Sequence, residues 1–119
     1  MASGTINVQP TALMNAVYPT ISNAENYSGY GNTFYRKNGN LVQVHIGIKN
    51  LVSSAIQGAK ATLFTLPNGY KPDTSYYSNG QGGNTYTAIA YGQVDSDGAV
   101  KVASDDSYAV VDFLFIATH

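Results

Sequence analysis

Cysteine and tryptophan are absent from this chain of 119 residues, and charge is scarce: 11% of residues are Asp, Glu, Lys or Arg, and the net charge is −1. Without cysteine there is no disulfide, no thiolate nucleophile and no cysteine-ligated zinc, so stability must come from packing or assembly. The thin, balanced charge provides no basic field for a phosphate backbone, and no nucleic-acid partner is expected. No stretch approaches the roughly 20 apolar residues that a membrane-spanning helix needs, and no basic segment followed by an apolar run marks an export signal. Neither membrane insertion nor a cofactor is expected.

What is plentiful is uncharged polarity. Asn, Ser, Thr, 12 glycines and 10 tyrosines supply hydrogen bonding without charge, a composition that suits strands, turns and contact surfaces. The length allows one core. Residues 33–119 read as one all-β domain, with residues 1–32 an N-terminal strand or loop segment of the same domain or a junction to something upstream. The run Thr11-Ala12-Leu13-Met14-Asn15-Ala16-Val17 is too short to separate strand from helical turn. Residues 22–32 read as a polar surface loop.

The clearest local signal is Asn38-Gly39 between strand-like runs, which predicts a β-hairpin with a type I′ turn. In its second arm Val42, Val44, Ile46 and Ile48 alternate with polar residues, the period of a strand with one buried face. Residues 55–66 read as a further strand, ended by Pro67-Asn68-Gly69-Tyr70-Lys71-Pro72. Residues 73–84, with Asn79-Gly80-Gln81-Gly82-Gly83-Asn84, read as an exposed, mobile loop because glycines weaken a strand interior. Asp95-Ser96-Asp97-Gly98 predicts a second hairpin. In residues 107–118 Tyr108, Val110, Leu114 and Ile116 alternate with Val111, Phe113 and Phe115, so both faces of one strand call for cover. The expected fold is a small antiparallel β-sandwich or jelly roll.

Two stretches, Tyr35-Arg36-Lys37-Asn38-Gly39-Asn40-Leu41-Val42 and Phe64-Thr65-Leu66-Pro67-Asn68-Gly69-Tyr70-Lys71-Pro72, resemble a recurrent family of bacteriophage tail-fibre and baseplate head domains. The second is similar to that family's turn Thr-Leu-Pro-x-Gly-Tyr-Arg-Pro, with Lys71 in place of the usual arginine. The resemblance covers about residues 33 to 118 in order. It implies a non-enzymatic virion domain that forms homotrimers beside other tail proteins and attaches to bacterial cell-surface polysaccharide. A purely structural collar, decoration or trimerisation module is the alternative.

On that reading Tyr27, Tyr30, Tyr76, Tyr77 and Tyr86, in or beside polar loops, are the receptor-binding candidates, since a tyrosine ring can stack on a sugar face while its neighbours bond the hydroxyls. Tyr108, Val110, Phe113 and Phe115 are the trimer-interface candidates. Other clusters have plainer readings. Asp95-x-Asp97-Gly98 has the opening spacing of a calcium loop, but Ala99 stands where the next oxygen ligand belongs, so a hairpin turn fits better. Asp105-Asp106 reads as a solvated turn. His45 reads as a polar-face or interface residue, and no Gly-x-Ser-x-Gly elbow accompanies it to suggest a hydrolase. Gly80 to Gly83 has no lysine or following helix to make a phosphate cradle.

Overall fold

The computed structural model describes residues 15–83 and 87–119. Strands β1 (Glu25–Asn26), β2 (Phe34–Asn38), β3 (Leu41–Lys49), β4 (Ala61–Thr65), β5 (Tyr76–Gln81), β6 (Ile89–Val94), β7 (Ala99–Ser104) and β8 (Ala109–Ile116) join in one sheet. The order is β1–β3–β8–β5–β6–β7–β4, with β2 also paired to β3. The antiparallel all-β expectation holds, and the ladders run through a single sheet that curls into a half-barrel. The chain segment containing Thr11 to Met14 lies outside the described residues; Val17 forms an isolated antiparallel bridge with Tyr35.

Alternation explains which face is concave. Val42, Val44, Ile46 and Ile48 of β3, Val111, Phe113 and Phe115 of β8, Ala90 and Val94 of β6, and Val100 and Val102 of β7 all lie in one buried cluster. Each set repeats every second residue, so the strands present their apolar sides to the same interior. β4 departs from this period. Its register on β7 shifts between Thr62 and Phe64, and the extra residue lets Leu63 and Phe64 both be buried.

The first hairpin forms, with its turn displaced by one residue. Asn38 pairs with Leu41, which leaves Gly39-Asn40 as the loop. Of these two only Gly39 has a positive φ, +61°, the pattern of a type II′ turn rather than the expected type I′. In the second hairpin the Gly98 amide donates to the Asp95 carbonyl at 2.8 Å and the Asp95 amide to the Ala99 carbonyl at 2.9 Å, making a three-residue loop.

Three expectations change. Residues 55–66 are not one strand: a 3-10 turn, Ser53–Ala55, precedes Gln57 at φ +56°, and the ladder begins only at Ala61. The polar segment 22–32 holds β1 and a 3-10 turn, Ser28–Tyr30. The supposed glycine-rich loop contains β5, paired with β6 from Tyr76↔Val94 to Gln81↔Ile89. A Cβ at Gly80 would stand 1.9 Å from the Val110 carbonyl oxygen. Glycine is there because β8 passes too close for a side chain, so the residue that argued against a strand is a condition of the strand's place.

The C-terminal strand is also resolved differently. Phe113 and Phe115, candidates for a subunit contact, are 2% and 5% exposed in the core of their own chain, which removes them from any outer surface. The strand's other side carries Leu114 and Ile116, 55% and 58% exposed, with Leu41 beside Ile116 on the neighbouring strand.

The sheet's edges are tied across the opening. The Ser22 amide donates to the Leu63 carbonyl at 2.8 Å, and the Asn23 side-chain amide donates to the Thr62 carbonyl at 2.7 Å. Tyr35 of β2 stacks on Phe64 of β4 at 5.9 Å and meets Tyr70 edge-on at 5.1 Å. Lys37 donates to the Gly69 carbonyl at 2.9 Å and lies 4.6 Å from the centre of the Tyr70 ring. The two stretches that carry the family resemblance are thus one packed unit. Gly69, at φ +92°, permits the turn in which the Tyr70 amide reaches the Pro67 carbonyl.

On the outer face His45 has Nδ1 at 2.7 Å from Asp112 Oδ1, and Nε2 at 2.7 Å from the Tyr30 carbonyl and 3.1 Å from that of Gly31. Both ring nitrogens are thus engaged, one by a side chain of β8 and the other by backbone carbonyls of the turn. The histidine thereby fastens the Ser28–Tyr30 turn to β3 and β8.

Substituting Gly80 by alanine is expected to destabilise the fold by about 1–3 kcal/mol or more, because a backbone oxygen occupies the Cβ position. Gly39→Ala meets nothing within 4 Å and carries only the strain of its φ, about 1–2 kcal/mol. Urea unfolding midpoints of the two variants order them; a Gly80→Ala loss no larger than that of Gly39→Ala contradicts the close-approach account.

Candidate functional site

The same alternation that buries Ala90 and Val94 turns Tyr91 and Gln93 of β6 outward. On β5 Tyr77 is opposite Gln93 and Asn79 opposite Tyr91, so the two tyrosines are diagonal neighbours on one face. Tyr77 is 63% and Tyr91 38% exposed. Beside them Lys60, Gln93 and Lys101 line an open depression of about 490 Å³, with Tyr91, Gly58 and Ala103 completing its walls. Aromatic faces next to fixed amide and ammonium groups are what a shallow polar ligand needs: a platform for its apolar face and partners for its hydroxyls.

The polar groups are held in place by one another. Lys60 Nζ donates to Gln93 Oε1 at 3.0 Å and lies 5.2 Å from the centre of the Tyr77 ring. Gln93 Nε2 donates in turn to Asp95 Oδ1 at 2.5 Å, Ser75 Oγ donates to the same oxygen at 2.9 Å, and Lys101 Nζ bonds Asp95 Oδ2 at 2.6 Å. These donors, the Lys101 ammonium first and the Gln93 amide next, hold the Asp95 carboxyl down at about 2. The same contact pushes the Lys101 ammonium upward. Asp95 is therefore an anchor for the network, and the rotamers of Gln93 and Lys101 follow from it.

The sequence-derived binding candidates separate into distinct places. Tyr77 is on this face. Tyr76 points the other way, contacts Phe115 at 5.7 Å, and lines an apolar groove of about 420 Å³ with Leu41, Leu114 and Ile116. Tyr27 and Tyr30 pack edge-on at 4.9 Å, and Tyr27 meets Tyr108 at 5.3 Å. Burial, then the neighbouring Tyr27, pushes the Tyr30 phenol upward. These three are half-buried in mutual packing rather than arrayed on the surface. Tyr86 lies outside the described residues. Val110 is half-buried in the sheet, opposite Gln81 and Gly47.

Tyr91, Gln93, Lys60 and Lys101 were not singled out by sequence. The alternation in Ile89-Ala90-Tyr91-Gly92-Gln93-Val94 carries a signal for Tyr91 and Gln93, but their convergence with Lys60, 33 positions away from Gln93, exists only in the folded sheet. Among the described residues no group of three or more His, Asp or Glu is placed to share a metal ion. Asp97 Oδ1 accepts the Ala99 amide at 3.0 Å within its turn, and Asp105 Oδ2 accepts the Ile89 amide at 3.1 Å, across from the end of β7 to the start of β6.

A carboxyl held below its ordinary value stabilises the folded state above the unfolded-chain value near 3.8 and loses that contribution as pH falls toward 2. Asp95→Asn is accordingly expected to be less stable than the parent at pH 7 and to converge with it near pH 2. Urea unfolding measured across that range checks this; a difference that stays constant down to pH 2 contradicts the assigned role.

Comparison of the chain with family models, with curated proteins and with solved structures finds no match.

Proposed function

We propose that this chain is a non-enzymatic head domain of the phage tail-fibre or baseplate kind, part of a virion, that attaches to saccharide on a bacterial cell surface. The observation that carries the reading is the outward Tyr77–Tyr91 platform with its braced Lys60, Gln93 and Asp95 neighbours. A rigid aromatic and amide surface loses little conformational entropy when a flexible glycan is laid on it. The motif residues support the same reading, since Tyr35, Lys37, Gly69 and Tyr70 form a single packed unit rather than two unrelated likenesses.

A non-catalytic role is supported by His45. Both of its ring nitrogens are taken up by Asp112 and by the Tyr30 and Gly31 carbonyls, leaving neither to act as a base toward a nucleophile.

Assembly as a homotrimer belongs to this proposal, with the subunit contact on the outer side of β8 and β3. Leu41, Leu114 and Ile116 form an exposed apolar patch there and line the groove shared with Tyr76, and repeated subunits offer a way to cover it. The same patch favours a second reading, a purely structural virion module, because leucine and isoleucine suit protein packing rather than sugar.

The two readings diverge on cell binding. The purified chain is expected to bind host envelopes, and Tyr77→Ala or Tyr91→Ala to weaken that binding by about tenfold each, the loss of one aromatic contact. Undiminished binding in both variants would exclude this platform, and no binding to any envelope would favour the structural module.

Light scattering on a size-exclusion column is expected to give the mass of three chains, falling to one on the paired change Leu114→Asp and Ile116→Asp. A monomer at micromolar concentration in the unaltered chain counts against the subunit contact.

A further inference from the structure

The depression beside Tyr91 has an unbalanced charge. Of the residues that line it, Lys60 and Lys101 are cationic and none is acidic. Lys101 is paired with Asp95. Lys60 is placed differently: its neighbours are the Gln93 amide oxygen and the face of Tyr77, both uncharged. An ammonium has three protons to donate and the Gln93 contact uses one. Lys60 therefore keeps charge and hydrogen-bonding capacity toward the opening.

Its position follows from the Asp95 network. Asp95 accepts from Gln93 Nε2, which turns the Gln93 amide so that its oxygen is presented to Lys60. The carboxylate that could have neutralised Lys60 is thus kept one side chain away and occupied by Lys101, Gln93 and Ser75. The aromatic ring of Tyr77 beneath the ammonium adds a second attraction that costs no negative charge.

Resting on the saccharide reading above, we infer that this site takes an anionic sugar unit, one bearing a carboxylate or a phosphate, with the anion on Lys60 and the sugar ring against Tyr91. Ammonium-to-anion hydrogen bonds are among the stronger polar contacts available to such a shallow site. A nucleic-acid backbone would call for a row of cations along a groove, and a chain with 6 Lys and Arg in all against 7 Asp and Glu does not provide a strong basic field. A single charged sugar needs only one unpaired ammonium.

The test is an array of acidic bacterial saccharides printed beside their neutral counterparts, with carboxylates methyl-esterified and phosphates removed, probed with the full chain. Expected is binding to acidic members, lost in the neutral forms and weakened roughly tenfold or more by Lys60→Gln, with Lys60→Arg retaining most of it. Lys60→Gln leaves the Asp95–Lys101 pair intact, and an unchanged thermal midpoint confirms that folding is not the cause. Equal binding to acidic and neutral forms, or binding to neutral forms alone, overturns the anion inference and leaves the saccharide reading standing. Acidic binding that is indifferent to Lys60→Gln overturns the site. Binding to no saccharide overturns both.

Discussion

Phe113 lies across the concave face of the sheet with its ring over Gly92, where the Cβ of any other residue would stand 2.4 Å from the ring's Cζ. The phenylalanine belongs to β8 and the glycine to β6, with β5 between them in the sheet. For the ring to reach that far, β5 must pass close beneath β8, and Gly80 makes this possible by leaving room for the Val110 carbonyl. One buried aromatic and two missing side chains thereby set the curl of the middle of the sheet. Val111, which would meet the same Cβ at 2.8 Å, fills the adjoining space. The outward orientation of Tyr91 and Gln93 is a consequence, because the alternate residues of β6 are committed to this contact.

A curled sheet that does not close has edges to protect. Here the protection comes from the residues of the two motif-like stretches. Tyr35 bridges Phe64 and Tyr70, and Lys37 spans from β2 to the Gly69 carbonyl. Leu66, just ahead of the turn, is buried at 1% exposure. Those residue types are therefore accounted for by edge closure: aromatic surface to bury, a long side chain to reach across, and a glycine where φ is positive. The motif speaks to how the domain is built, and the proposed binding face uses other residues.

The tyrosines divide in the same way. Tyr27, Tyr30 and Tyr108 pack on one another near the turn that His45 fastens, Tyr35 and Tyr70 close the edge, and Tyr77 and Tyr91 face solvent. Tyr77 and Tyr91 combine exposure with polar neighbours that are held in place by one another. Asp95 braces Gln93 and Lys101 from the end of β6, so the polar groups of the outer face hold one another in place.

By itself the sequence determined what is local. Period-2 alternation in Val42 to Ile48 fixed a strand with its buried side, and Asn38-Gly39 and Asp95 to Gly98 fixed two reversals, because these depend on neighbouring residues alone. Even there the turn at Gly39 shifted by one residue, since Asn38 gains a place in the ladder opposite Leu41. The tertiary structure decided everything that depends on what lies across the sheet. Gly80 reads as a strand breaker until Val110 is seen beside it, Phe113 and Leu114 are equivalent as apolar residues until one side of β8 is turned inward, and Lys60 has no distinction until Gln93 and Tyr77 are brought to it. Composition and spacing record what a residue can do; the long-range pairing of strands selects which of those things it does.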